Sequence, residues 1–227
     1  MPPRSTTIMN CTKQPLLKQH QAIIFKSRKS KTKAQKQLKC VLVGDGAVGK
    51  TSLAVSYSND TFPKEYVPTA FDNYSVIVQV DGQPINIQLC DTAGQNELDP
   101  LRGLCYPDTD VFMLCFSVVR PSSFQSACTR WANELTALDV PIVLVGTQAD
   151  LRDHAPTVHG LIQSGQSPVS PTDALRLAER LEAPYIETSA LTCVHLKDAF
   201  DQAILTALRR RQMCHRTPLW RKFCCIK

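Results

Sequence analysis

Apolar residues gather along this chain in two patterns. Runs dense in apolar residues stand at 39–43, 111–116 and 141–146. Runs of that length suit strands buried on both faces, as in a parallel sheet. Segments 74–80 and 85–90 are also strand-like, and Asp81-Gly82-Gln83-Pro84 between them predicts a hairpin turn. Segment 184–188 reads as a short last strand. Helical spacing fills the gaps. A helix is expected from Thr51 through Tyr57. A second, 122–138, starts on a serine cap behind Pro121, and a third, 170–181, has Ser170 as cap and Pro171 in its first turn. Leu196, Phe200, Ile204 and Leu208 make one apolar stripe over 196–208. Strands alternating with helices predict an α/β fold: three layers, α/β/α, around a mostly parallel six-stranded sheet with one antiparallel edge hairpin. Residues 151–169, with His, Pro, Gly and Ser and a short helical stretch, read as an insertion on the ligand-facing edge.

Charge changes this picture at both ends. Residues 1–39 hold ten Lys/Arg and no acid, and residues 209–227 hold seven and no acid. Between them stand nine Lys/Arg against twenty Asp/Glu, a net of −11. An acidic body therefore lies between a basic N-terminal extension (1–38), whose composition predicts disorder, and a basic tail (209–227). The acidic body and the lack of aromatics interleaved with Lys/Arg argue against nucleic-acid binding. Cys40, Cys90 and Cys115 fall in apolar runs and are expected as free thiols acting as small hydrophobes.

The chemistry centres on Gly44-Asp45-Gly46-Ala47-Val48-Gly49-Lys50-Thr51, which fits the phosphate-loop pattern between a strand and a helix. Glycines let the backbone wrap an anion and aim N–H groups at it. Lys50 can reach β- and γ-phosphates, and Thr51 can ligate Mg2+. Four further segments follow. Thr69, in Tyr66-Val67-Pro68-Thr69, can bind Mg2+ and the γ-phosphate and lose both on hydrolysis. In Asp91-Thr92-Ala93-Gly94-Gln95, Asp91 can hold the Mg2+ shell from behind, the Gly94 N–H can sense the γ-phosphate, and Gln95 can orient the attacking water. In Thr147-Gln148-Ala149-Asp150, the Asp150 carboxylate can accept two hydrogen bonds from guanine, which adenine cannot supply. Ser189-Ala190-Leu191 can meet the guanine O6 through backbone N–H.

These five segments resemble the nucleotide-binding motifs of the Ras superfamily over 39–208. The stretch Tyr66-Val67-Pro68-Thr69-Ala70-Phe71-Asp72-Asn73-Tyr74 and the insertion at 151–169 resemble the Rho family of small GTPases. Cys90 before Asp91, Gln148 within Thr147–Asp150, and a basic Trp-containing end closing on Phe223-Cys224-Cys225 resemble its atypical Wrch/Chp branch. The resemblance implies the P-loop NTPase fold with a Rho-type insert around 152–169. It implies a monomer that binds GTP/GDP with Mg2+ and hydrolyses GTP slowly, with Gln95 catalytic. It adds Ser52 to the phosphate-binding residues and Phe62 to the guanine-binding ones. Residues Tyr66 to Tyr74 become the effector loop, where Asp72 and Tyr74 favour effectors with a CRIB motif, such as p21-activated kinases. GTPase-activating proteins and exchange factors are implied partners, and signalling to the actin cytoskeleton, cell shape, adhesion and polarity the implied outcome.

Two departures carry expectations of their own. Gln148 stands where the family has a Lys that packs on the base and the phosphate loop, so looser binding and fast nucleotide exchange are expected. The alternative is a constitutively GTP-loaded binding module with negligible hydrolysis. Cys224-Cys225-Ile226-Lys227 ends in Lys, outside the usual prenylation preferences. The branch is anchored by palmitate instead, so Cys224 and Cys225 are the expected lipidation sites. With the basic, aromatic residues around them they predict attachment to an anionic membrane, on the cytoplasmic side of the plasma membrane and endomembranes.

Overall fold

A computed structural model describes residues 36–63, 71–92, 94 and 102–216, with side chains to Met213. Strand β1 (Lys36–Val43) leads through the phosphate loop into helix α1 (Lys50–Asn59). An antiparallel hairpin follows, β2 (Phe71–Val80) and β3 (Gln83–Thr92). Then come β4 (Val111–Ser117), helix α2 (Pro121–Ser126), a π-helical turn (Ala127–Trp131) and α3 (Ala132–Thr136). The rest is β5 (Ile142–Thr147), α4 (Ala155–Gln163), α5 (Pro171–Arg180), β6 (Tyr185–Glu187) and α6 (Leu196–Arg216). The six strands lie in the order β2-β3-β1-β4-β5-β6, and every pair except β2–β3 is parallel. This is the expected three-layer α/β arrangement with one antiparallel edge hairpin.

Side chains on the central strands divide between two cores. Leu38, Cys40 and Leu42 of β1 face α1 and α6, where they join Leu53, Tyr57, Phe200 and Ile204. Val41 and Val43 face the other way, toward Trp131, Leu135, Leu177 and Ala178. Strands β4 and β5 are buried along their whole length, which is why they read as unbroken apolar runs. Tyr57 and Phe200 stack with centroids 4.0 Å apart and lock α1 onto α6. Cys40, Cys90 and Cys115 are buried free thiols.

Several boundaries differ from expectation, and β3 begins at Gln83, inside the expected Asp81–Pro84 turn. Strand β1 starts at Lys36 and β2 at Phe71, because pairing with β3 extends each past its apolar run. Helix α6 continues beyond Leu208 to Arg216. Arg210 pairs with Asp139 at 2.8 Å, and Arg211 pairs with Asp110 at 2.6 and 2.7 Å, so part of the basic stretch is held on the fold. The insertion contains α4, which buries none of its own residues. It is fixed at its base by Arg152, which donates to Glu187 at 2.7 and 3.0 Å and to the Val169 carbonyl at 2.8 Å. Among the described residues no helix is long and apolar enough to cross a membrane.

Candidate functional site

Parallel pairing puts the C-terminal ends of β1, β3, β4, β5 and β6 along one edge of the sheet, where open α/β sheets bind ligands. Gly44–Thr51, Asp91, Gly94, Thr147–Asp150 and Ser189–Leu191 all lie on that edge. The loop after β1 is shaped by backbone that side chains would not tolerate. Gly44 has φ +138°, and a Cβ there would meet the Cys115 carbonyl oxygen at 2.1 Å. Gly49 has φ +94°, and Ala47 is also left-handed at φ 57°. Val48 is wholly buried, while Ala47 is exposed and Asp45, Gly46 and Ser52 are half-buried.

Lys50 is buried, and its Nζ donates to the carbonyls of Gly44 and Asp45, both at 2.8 Å. Burial lowers its pKa, and Asp91 pulls it back upward. Both of these hydrogen bonds go to neutral carbonyls, so the charge of Lys50 is available to an anion bound in the loop. Thr51 Oγ1 donates to Asp91 Oδ2 at 2.5 Å, and Asp91 is fully buried at the end of β3. A hydroxyl and a carboxylate oxygen in contact form a hard-oxygen donor set that fits Mg2+. Gly94 sits against the loop so closely that a Cβ would lie 2.2 Å from Asp45 C and Gly46 N.

A second group lies at the ends of β5 and β6. Thr147 Oγ1 donates to the Val48 carbonyl at 2.5 Å, tying β5 to the phosphate loop. Gln148 is left-handed, φ 59°, and its Oε1 accepts from Ser117 Oγ at 2.5 Å. Ser189 Oγ donates to Asp150 Oδ1 at 2.6 Å, which fixes the carboxylate at the end of β5. The Ala149 N–H donates to the Thr188 carbonyl at 3.2 Å, joining the two segments. Ala190 is buried, whereas Leu191 and Phe62 are exposed at 57% and 42%. Phe71, Asp72, Asn73 and Tyr74 form the start of β2, with Phe71 opposite Thr92 and Asp72 opposite Asp91. Tyr66, Val67, Pro68, Thr69, Ala70, Gln95, Cys224 and Cys225 lie outside the described residues.

The structure adds residues that periodicity did not point to as site residues. Trp131 is fully buried and also donates its indole N–H to Asp45 Oδ1 at 2.8 Å. The π-helical turn ending at Trp131 accompanies this placement, and such turns concentrate at functional sites. The Arg102 and Arg130 guanidinium groups each lie 4.5 Å from the Trp131 ring centroid. Arg120, immediately after β4, donates from Nη2 to the Gly46 carbonyl. Its position at a strand's C-terminal end was the available sequence signal.

The chain matches the Ras family over residues 39–209. It is 54% identical over 178 residues to the Rho-related GTP-binding protein RhoV of Bos taurus, which covers 77% of this chain and 75% of that protein. The Rattus norvegicus RhoV matches with the same identity and coverage.

Proposed function

This chain belongs to the Ras family, among its Rho-related GTPases of the RhoU/RhoV type, and from that premise we propose how its residues run a GTP-dependent switch. The loop 44–51 and Ser52 hold the phosphates, with Lys50 on the β- and γ-phosphoryl oxygens. Asp150 selects guanine, flanked by Thr147, Gln148, Phe62 and Ser189–Leu191. Thr51 and Thr69 hold Mg2+, with Asp91 behind them; the bound ion supplies charge neutralisation at the phosphate oxygens. Gln95 orients a water whose oxygen bonds to the γ-phosphorus. The bond to the β–γ bridging oxygen breaks, its electron pair stays on GDP, and both protons of the water leave with the phosphate as dihydrogen phosphate. Positioning and charge stabilisation supply the acceleration, so the isolated protein is slow.

The observation that carries this reading is the buried Lys50, anchored by two carbonyls at the mouth of a loop too tight for side chains. Lys50→Met tests it: affinity for GDP and GTP drops at least a hundredfold while circular dichroism stays unchanged. An unaltered affinity would refute the assignment.

Finer features follow from the same residues. Gln148 is uncharged and bonded to Ser117, which supports weak retention of nucleotide and fast spontaneous exchange. Fast exchange in GTP-rich surroundings also favours the second reading, a protein that is GTP-loaded most of the time and signals with little hydrolysis. Rho-family membership implies effectors, activating proteins and exchange factors in general. For this chain we assign CRIB-type kinases to the surface around Asp72 and Tyr74. We assign attachment to the cytoplasmic face of the plasma membrane and endomembranes to acylated Cys224 and Cys225 with their basic neighbours.

A further inference from the structure

We infer that Arg120 is a resident arginine for γ-phosphoryl transfer, supplied by this chain's own β4–α2 connection; the inference rests on the GTPase reading above. Three observations converge on it. First, its guanidinium is fastened to the phosphate loop, Nη2 donating to the Gly46 carbonyl. Lys50 already caps the carbonyls of Gly44 and Asp45, so Arg120 extends the same row of cations by one residue. Second, Gly94 presses on the same part of the loop, a Cβ there lying 2.2 Å from the Gly46 nitrogen, so Arg120 and Gly94 both bear on the Gly46 backbone. Third, among the described residues Gly46 is the only hydrogen-bond partner of the Arg120 side chain and no carboxylate pairs with it. A half-buried guanidinium has five donors, and one hydrogen bond leaves most of its fork for an anion.

The backbone under Arg120 is held on both sides. Its N–H donates to the Ser117 carbonyl at 3.1 Å, and its carbonyl accepts from the Ser123 N–H at 2.9 Å and the Ser123 hydroxyl at 2.7 Å. The side chain is therefore presented from a rigid corner, as a preorganised charge requires. In the hydrolytic step it stabilises negative charge on the γ-phosphoryl oxygens while the attacking water bonds to phosphorus and the bridging bond breaks. An arginine inserted by a partner protein is the usual source of such charge; here the fold carries one in cis.

The test uses the full chain loaded with GDP and Mg2+, titrated with aluminium fluoride as a mimic of the transferring phosphoryl group and followed by fluorine NMR. Wild-type protein takes up the fluoride without any partner. Arg120→Ala weakens that uptake at least tenfold, while GDP affinity stays within about twofold. Single-turnover GTP hydrolysis slows by about 100-fold, the scale of one preorganised donor. Arg120→Lys, a point charge without the fork, falls between. Unchanged fluoride uptake and hydrolysis in Arg120→Ala would overturn the inference. So would equal losses of GDP and GTPγS affinity, which would make Arg120 a prop for Gly46. A wild-type protein that binds GDP but no fluoride refutes Arg120 alone; one that binds no GDP refutes the GTPase reading as well.

Discussion

Trp131 links the sheet's covering helix to the phosphate loop, so Trp131→Phe is an informative change. The substitution keeps an aromatic ring in the same place and removes the indole N–H that Asp45 accepts at 2.8 Å. A hydrogen bond to a carboxylate contributes about 1.5–3 kcal/mol, and half-exposure of Asp45 moves the value here toward about 1–2. The smaller ring leaves unfilled space worth about 1 kcal/mol. Phe is also a poorer partner than Trp for the Arg102 and Arg130 guanidinium groups, together about 0.5 kcal/mol. The total, about 3 kcal/mol, corresponds to a fall in Tm of about 6–12 °C for a domain of this size. The assay is thermal unfolding by circular dichroism at one fixed GDP concentration, with each variant's GDP affinity measured so that the nucleotide linkage can be subtracted. A double-mutant cycle with Asp45→Ala isolates the hydrogen bond and should give a coupling of about 1–2 kcal/mol. A Tm within about 2 °C of wild type, or additivity within about 0.5 kcal/mol, would refute this description of Trp131.

Other changes give equally specific outcomes. Gly44→Ala places a Cβ 2.1 Å from the Cys115 carbonyl at a φ of +138°, so the loop must move; calorimetry should show GDP binding lost, and wild-type affinity would contradict the geometry. Asp150→Asn exchanges an acceptor for a donor at the base edge, so preference should shift from GDP toward xanthosine diphosphate in competition binding, with GDP affinity down by at least a hundredfold. Burial pushes the Cys115 thiol from 9.0 up to about 12. Between those values the unfolded chain releases a proton that the folded chain keeps, so stability is intact below pH 9.0 and declines as pH rises above it. Unfolding free energies from urea titrations at rising alkaline pH should therefore fall less steeply in Cys115→Ala than in wild type, by about 1.4 kcal/mol per pH unit. The slope keeps a residue because Cys40 and Cys90 are raised by burial too. Identical slopes would reject the assignment.

Local chemistry made the centre of this molecule readable. Gly44, Gly49, Lys50 and Thr51 are dictated by a tight anion-binding turn, and the fully buried strands β4 and β5 leave unbroken apolar runs. Legibility fades where contacts are distant in sequence. The first residues of β2 are exposed and show no alternation; they are strand because Phe71 and Asp72 pair with Thr92 and Asp91. Helix α6 reaches Arg216 past the end of its apolar stripe, and the Arg210–Asp139 and Arg211–Asp110 pairs span 71 and 101 residues. A period of 3.6 gave no sign of the π-helical turn at Ala127–Trp131. Nothing local to Trp131 marks the hydrogen bond it gives Asp45, 86 residues away in the chain. Arg120 is a lone charge beside a proline in the chain, and only the fold brings it to Gly46.

The most direct measurement is release of a fluorescent GDP analogue from the purified protein, chased with GTP, ATP or buffer and followed by single-turnover hydrolysis. Rapid release, displacement by GTP but not ATP, and slow measurable conversion of GTP to GDP are the results expected from Lys50, Asp150 and Gln148 as placed here. Displacement by ATP as readily as by GTP, or no binding of either nucleotide, would contradict a guanine-nucleotide switch on this sheet edge.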